Sequence, residues 1–489
     1  MRMTIALRWT PRWWHWLLFT VVFLLLMIFT VLLTLRSEGR SNYQRVLADL
    51  RAKGKVATLD EFIAQAPQVD VEIQEAWHRW SSPSIDYPES SRRNFNQELD
   101  AWNRYVMGEA PAPEALLKGI EDARTLMEPA RRLLQHDTLL VSAYGWIAQD
   151  LPPGKRSLPH AVNARIPNLM STRALANWLH HAACTESDPR PALDDLDRFH
   201  RSLSRPGCLI DVMIWIAIAN IRNEAYLHLA LLGRLPEKNR QAWMKESCQL
   251  IARIADGFDG ERTWFNDSWA NMGEEMSFFG SFSTGRGMID DMMFGAGPAD
   301  PVMEWLSFRW LYSGPWLWAT AHHDAAITAE LEAHFSARLR GETMTPVPDW
   351  SVVLPRYRGY GVIAMPNLME CGITALEADA KHRMYRITVM LLTEAPTHGL
   401  PTDVAALSPC VDRLIWLEPP GDHLHLTYER LNEHRFRLVI SPASPIPNFD
   451  DPTRMVMRTK ILGTPADKAP LVTGRHIEVL LPLNLRQTP

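Results

Sequence analysis

The chain has 489 residues, of which 46% are apolar and 22% are charged. This composition excludes a disordered chain, and the length is sufficient for about two to four domains with a large core. The formal net charge of −5 provides no positive field of the kind that nucleic-acid-binding proteins use. The five cysteines form no CxxC pair, which excludes a zinc ribbon, and we expect them to be small apolar residues of helices.

The first predicted element is a membrane-spanning helix over Trp13–Leu35. These 23 residues contain no Asp, Glu, Lys or Arg. At about 1.5 Å per residue they extend about 34 Å, slightly more than the ~30 Å hydrocarbon core of a bilayer. Trp13, Trp14 and Trp16 lie at one end, where their rings favour the headgroup layer. The apolar run is longer than that of a cleaved signal peptide, so the sequence predicts an uncleaved signal-anchor.

The positive charges on the two sides of this helix are nearly balanced. Three arginines precede it and three follow it: Arg2, Arg8, Arg12, Arg36, Arg40 and Arg45. A short tail before a first anchor usually stays in the cytoplasm when a large domain follows. We therefore expect residues 1–12 to form a cytoplasmic tail. Residues 13–35 would cross the inner (cytoplasmic) membrane, with residues 36–489 outside the cytoplasm.

Residues 36–341 have the apolar periodicity of successive helices. The run Thr58–Glu61 has the capping-box pattern, in which a hydroxyl and a carboxylate accept bonds from unpaired backbone N–H groups. Further helices are predicted over Pro113–Glu128, Asn168–Glu186, Pro191–Leu203, Leu209–Leu232 and Pro236–Ile254. Their short connections favour antiparallel neighbours, so we predict an irregular array of α-helical hairpins.

One of these helices is unusually apolar. Cys208–Ala219 contains a single charged residue, Asp211, and twelve residues are too few for a second membrane span. The segment is therefore predicted to be a buried core helix. Asp211 lies near its start, where a carboxylate complements the positive end of the helix dipole; a buried functional carboxylate is the alternative.

The composition changes after residue 341, where a proline-containing linker, Thr343–Arg358, begins. A long helix is predicted over Pro366–Thr393, and a connection typical of a hairpin joins Leu424–Tyr428 to Arg435–Ile440. Further strands are predicted over Leu414–Leu417, Met455–Lys460 and His476–Leu481. The predicted fold class is therefore mainly α. It comprises a transmembrane helix, the helical array, and a small α+β domain at 342–489 with one long helix and an antiparallel sheet.

Four segments follow one another in this last domain: Arg383–Arg386, His398–Pro409, Leu424–Tyr428 and Phe436–Pro442. Their order resembles the C-terminal part of the major pseudopilins of type II secretion. The resemblance implies a long helix followed by paired strands, and an accessory role in a secretion apparatus. The pseudopilin calcium loop is replaced here by Ser441–Pro445, so no calcium site is implied.

A second resemblance covers nearly the whole chain. The anchor, the opening motif Leu47–Gly54, the helical array and the pseudopilin-like tail together resemble uncharacterised single-pass, membrane-anchored proteins of planctomycete and verrucomicrobial bacteria. No activity is established for that class. The resemblance therefore implies an architecture and no particular chemistry.

Four carboxylates are the candidate catalytic residues: Glu274, Glu275, Asp290 and Asp291. They lie on either side of a glycine-containing stretch, and Trp264, Trp269 and Trp305 are nearby in sequence. A glycosidase needs one carboxylic acid, one carboxylate base or nucleophile, and aromatic surfaces on which sugars stack. The alternative is that the acidic residues belong to ordinary turns and the tryptophans to the core.

Histidines provide the candidate metal ligands. His423 and His425 alternate along a predicted strand and so share one face, but no third ligand follows from the spacing. The alternative is a polar hairpin face, and we expect no metal and no cofactor. The pairs His180-His181 and His322-His323 are predicted to lie on helices, where adjacent residues point about 100° apart and cannot easily share one ion. We expect His322 and His323 to lie on a solvated helix face.

These features favour a membrane-anchored, non-enzymatic interaction or scaffold protein of the bacterial cell envelope. The expected partners are the membrane, through residues 13–35, and a protein of the envelope; no nucleic acid is expected. Two alternatives remain open. One is a carbohydrate-active hydrolase that uses the carboxylates near residues 274–291, and the other is an accessory component of a secretion system.

Overall fold

The structure is a computed structural model. It describes residues 12–83, 100–161, 163–205, 207–246, 250–275, 314–340, 378–379, 381–393, 400–402, 424–442 and 475–480. Several predicted features lie outside the described residues: the linker Thr343–Arg358, the strands Leu414–Leu417 and Met455–Lys460, and the residues Asp290, Asp291 and His423.

The described chain is mainly helical, as the sequence predicts. The helices are α1 (Arg12–Ala52), α2 (Leu59–Ala64), α3 (Val71–Ser81), α4 (100–106), α5 (Glu114–Leu133), α6 (Tyr144–Asp150), α7 (Leu158–Ala161), α8 (Leu169–Thr185), α9 (Arg190–Ser202), α10 (Leu209–Leu231), α11 (Glu237–Lys245), α12 (Leu250–Glu261), α13 (Asp267–Glu275), α14 (Gly314–Leu339) and α15 (381–393). A π-helical turn, Arg262–Asn266, joins α12 to α13. The strands are β1 (Leu424–Asn432), β2 (Arg435–Pro442) and β3 (Arg475–Leu480).

Polar residues begin several of these helices where the sequence predicts. The Thr58 hydroxyl accepts a bond from the Glu61 N–H at the start of α2, and the Glu61 carboxylate accepts one from the Ala57 N–H at 2.8 Å. Asn168 caps α8 in the same way, through the N–H groups of Met170 and Ser171. These side chains satisfy backbone donors that have no partner within the helix.

The prediction of a single helix over Pro236–Ile254 is wrong, because α11 ends at Lys245 and α12 begins at Leu250. Glu246 has an extended backbone at the end of α11. Its carboxylate pairs with Arg222 at 2.7 Å, and its carbonyl accepts a bond from Arg386 at 2.5 Å. These contacts with α10 and α15 replace the bonds of a continuing helix.

The core is centred on α8, α9 and α10. The predicted burial of α10 is confirmed, since most of its side chains are buried. Trp178 of α8 is fully buried, and its indole N–H donates to the Ile120 carbonyl of α5 at 3.0 Å. Asp211 is fully buried near the start of α10, where its carboxylate accepts bonds from the N–H groups of Gly207 and Ala143.

Helix α15 belongs to the same hydrophobic core as the array. Seven of its apolar side chains are buried there: Met384, Tyr385, Ile387, Val389, Met390, Leu391 and Leu392. An ion pair of 2.9 Å between Lys381 and Glu224 ties α15 to α10. The boundary between residues 341 and 342 stays a prediction, but the described parts of its two sides share one core.

The strands form an antiparallel sheet in the order β1-β2-β3. The predicted hairpin is confirmed: Thr427 is opposite Val439, and Tyr428 is opposite Leu438. Phe436 and Leu438 of β2 are fully buried, while Thr427 and Glu429 of β1 are exposed. One face of the sheet thus completes the core beside α15.

Candidate functional site

The most distinctive feature of the structure is the place where α1 meets the helical body. Of the described helices, only α1 is long and apolar enough to cross a membrane. Its first half projects from the body, and large apolar side chains such as Trp16 and Leu25 are 70% and 60% exposed. Leu32 is the first residue of the helix that is buried against other elements.

The second half of α1 packs along α14 through a regular seam. Seven positions are buried, and six of them alternate in spacings of four and three residues: Leu32, Arg36, Gly39, Tyr43, Val46 and Leu50. The seventh is Leu47, next to Val46. Such spacing keeps one stripe of a helix against a partner, as in a coiled coil. Gly39 is required by this contact, because a Cβ at this position would lie 2.8 Å from Cδ2 and 3.1 Å from the backbone nitrogen of His323.

Arg36 occupies a position in this seam where an apolar residue is usual. Its side chain is buried beside the indole of Trp318, with the guanidinium carbon 4.5 Å from the ring centroid. It donates to the carbonyl of Gly273 at 2.7 Å and to that of Trp318 at 2.8 Å. Gly273 lies in the last turn of α13, where carbonyl groups lack partners within the helix. Arg36 therefore joins α1, α13 and α14.

Glu274 compensates the positive charge at this junction. Its carboxylate pairs with Arg36 at 3.2 Å, with Arg40, and with Nε2 of His322 at 2.8 Å. Burial by itself raises the pKa of Glu274, but the hydrogen bond from Arg40 and the neighbouring positive charges lower it below its usual value. The carboxylate is therefore ionised at neutral pH and binds two arginines of α1.

The predicted exposure of His322 and His323 is wrong. Both are buried, with 4% and 5% of their surface accessible, because α1 continues beyond its apolar segment and covers this face of α14. Burial lowers the pKa of His322 to about 4, despite the opposing charge of Glu274. His322 is therefore neutral at pH 7, and its Nε2–H donates to Glu274.

Of the four candidate catalytic carboxylates, the structure describes Glu274 and Glu275, and the surroundings of these two differ. Glu274 is held by the ion pairs of the junction and carries no proton to donate, whereas Glu275 is exposed at the end of α13. Asp290 and Asp291 lie outside the described residues. Trp264 and Trp269 are core residues, the first bonded through its indole N–H to the Ala161 carbonyl at 3.2 Å.

The hydrolase and the histidine metal site both remain predictions. A hydrolase would now depend on Glu275, Asp290 and Asp291, and on aromatic residues other than Trp264 and Trp269. Among the metal candidates, His425 lies on β1 opposite Ser441, while His423 lies outside the described residues.

The sequence contains a signal for the junction that our interpretation of the apolar run did not use. The alternation of four and three residues continues from Leu32 to Leu50, well past the last residue of the predicted membrane span. Arg36 and Arg40 are four residues apart and so lie on one face of the helix. The partners of that face, Glu274 and His322, are more than 230 residues away, and sequence spacing cannot identify them.

No protein-family model, curated protein or solved structure matches the chain. The resemblances to pseudopilins and to planctomycete proteins therefore remain predictions from sequence motifs.

Proposed function

We propose that the protein is a single-pass membrane protein of the bacterial cell envelope, in which α1 holds the helical body in a fixed orientation at the membrane surface. The body would serve as a non-enzymatic scaffold for an envelope protein. The observation that carries the proposal is the continuity of α1, whose exposed apolar half and buried half belong to one uninterrupted helix of 41 residues.

A membrane explains both halves of this helix. Nineteen successive residues, 13–31, are exposed, which in water would leave a large apolar surface uncovered. Trp316 and Trp318 pack against Leu32 and Leu35, at the level where α1 leaves its exposed segment. Tryptophan is enriched at that level in membrane proteins because its ring is amphipathic. The body would therefore begin directly at the headgroup layer.

The junction supports a rigid attachment rather than a flexible tether. A linker would allow the body to rotate freely, whereas a helix that packs along α14 and is bonded through Arg36 transmits the orientation of the anchor. A fixed orientation presents one set of body surfaces to a partner in the same membrane. This is the property that a scaffold requires and that a freely diffusing enzyme does not.

In this proposal the body lies outside the cytoplasm, since large domains that follow a membrane helix are translocated largely regardless of their charge. Alkaline phosphatase, which is active only outside the cytoplasm, fused to the C-terminus of the full chain should be active. A fluorescent protein that folds only in the cytoplasm should be dark at the same position. The reverse pattern would overturn the orientation, and release of the full chain from membranes by alkaline carbonate would overturn the anchor.

The absence of catalysis is tested separately with the purified full chain on a panel of glycans. We expect no turnover above that of a blank preparation. Turnover that disappears in Glu275→Gln and persists in Glu237→Gln, an exposed glutamate of α11, would replace the scaffold proposal by the hydrolase.

A further inference from the structure

A second polar cluster lies within the main hydrophobic core and shares no residue with the ion pairs of the membrane junction. His180 and Cys184 are four residues apart on α8 and so point in the same direction. His228 of α10, which packs against α8, faces them. The three donor atoms lie within 4.8 Å of one another. The cluster thus joins the two central helices of the body.

The cluster is closed to solvent. Cys184 has no accessible surface, and His180 and His228 have 4% and 3%. The ring of Trp102 packs edge-to-face on both imidazoles, at centroid distances of 5.9 and 5.6 Å. Nε2 of His180 lies 2.9 Å from Nδ1 of His228, so a single proton is shared between them in a hydrogen bond. Burial raises the pKa of the Cys184 thiol, which is therefore protonated when no ion is bound.

The dimensions of the cluster suit a transition-metal ion. With bonds of about 2.0–2.1 Å to nitrogen and about 2.3 Å to sulfur, tetrahedral ligands lie about 3.3–3.6 Å apart. The two ring nitrogens would separate by about 0.4 Å, which small rotations of the rings supply. Two imidazoles and one thiol are ligands for zinc or copper, whereas magnesium and calcium require oxygen.

We propose that His180, Cys184 and His228 form a binding site for a borderline-soft transition-metal ion, with Zn²⁺ as its principal occupant. On binding, the thiol proton is released to solvent and the thiolate coordinates the ion. The proton between the two histidines moves to the opposite nitrogen of its own ring, so both rings stay neutral. The ion replaces that hydrogen bond by three bonds across α8 and α10.

The adjacent histidines His180 and His181 do not by themselves indicate the site, because only His180 belongs to it. Adjacent residues on a helix point about 100° apart, and the cluster accordingly uses His180 and the residue four positions later, Cys184. A search for HxxxH patterns passes over this pair because the second ligand is a cysteine. The third ligand, His228, is 44 residues further along the chain and is brought near only by helix packing.

The test uses the purified full chain in detergent. After removal of metal and incubation with Zn²⁺, inductively coupled plasma mass spectrometry should find about one zinc per chain. Co²⁺ in place of Zn²⁺ should produce a sulfur-to-cobalt charge-transfer band, which reports thiolate coordination without any mutation. Incubation with copper in a parallel sample shows which of the two ions binds more tightly in competition with a coloured chelator.

Cys184→Ser and His228→Gln should each weaken zinc binding at least tenfold and remove the charge-transfer band. Cys208→Ser, a change in the other buried cysteine of the described residues, and His136→Gln, a change in an exposed histidine, should leave both unchanged. If a ligand variant does not fold, the cobalt spectrum of the unmodified protein still decides. Absence of the charge-transfer band, or a zinc content equal in the Cys184→Ser and Cys208→Ser variants, would overturn the proposal.

Discussion

Replacement of Arg36 tests whether α1 is held to the body by a specific contact. Arg36→Met keeps an apolar stem of similar length in the seam but removes the guanidinium. The carbonyls of Gly273 and Trp318, which it bonds at 2.7 and 2.8 Å, lose a charged donor, and Glu274 loses one partner. A hydrogen bond to a charged donor contributes about 2 kcal/mol, so loss of the two carbonyl bonds should cost about 3–5 kcal/mol.

Arg40→Met is the matched control. Arg40 binds the same carboxylate, but 48% of its side chain is exposed. Ion pairs of exposed side chains contribute about 0.2–1 kcal/mol. The two arginines are one helical turn apart and share Glu274 as a partner. The two substitutions should nevertheless differ several-fold in the stability that they remove, because Arg36 is buried and Arg40 is solvated.

Amide hydrogen exchange over residues 36–52 of the full chain in detergent measures the opening of the seam. An effect of about 3–5 kcal/mol corresponds to exchange about 140- to 4,000-fold faster in Arg36→Met, since a factor of ten is about 1.4 kcal/mol. Arg40→Met should accelerate exchange by no more than about fivefold. Equal exchange in the two variants would refute the argument that burial gives Arg36 its role.

Gly39→Ala should also loosen α1 from α14, because its Cβ would lie 2.8 Å from His323. The same change at Gly119, where no atom lies within 4 Å, should stabilise its helix by about 0.5–1 kcal/mol, and a similar effect at both positions would contradict the close approach. Truncation after residue 341 should prevent the array from folding, because it removes seven buried apolar side chains worth about 10–20 kcal/mol before entropic costs. A soluble fragment 36–341 that unfolds cooperatively would contradict this and support two domains. Burial raises the pKa of Glu261 to about 7, so its contribution to stability is present below the unfolded value of 4.5 and is lost as the pH rises through 7. Glu261→Gln should therefore be as stable as the unmodified protein at pH 4 and about 3 kcal/mol more stable at pH 8, and parallel pH profiles of thermal unfolding would refute this.

Local patterns predicted the individual elements well. The apolar run Trp13–Leu35 lies within α1, and the capping residues Thr58 and Asn168 begin α2 and α8. These features depend on residues within about one or two turns of each other. Helix formation, capping and hairpin pairing are local, so the sequence contains the information for them in contiguous segments.

Boundaries were less predictable where distant residues compete for the backbone. The helix expected over Pro236–Ile254 is divided because Arg222 and Arg386, from two other helices, bind Glu246. The helix predicted over Pro113–Glu128 continues through Pro129 to Leu133 as α5, and Ala130 in its last turn is fully buried. Tertiary contacts of this kind outweigh local propensities of about 1–3 kcal/mol.

The sequence by itself determined that the chain is mainly helical and begins its described part with a helix long and apolar enough to cross a membrane, because apolar periodicity and length depend only on neighbouring residues. Tertiary structure alone decided which polar residues work together. Arg36 meets Glu274, and His180 and Cys184 meet His228, because helices distant in sequence pack side by side. The amino-acid sequence does not distinguish a buried charged side chain or imidazole from an exposed one. Its role follows from the partners and the solvent exclusion that packing provides.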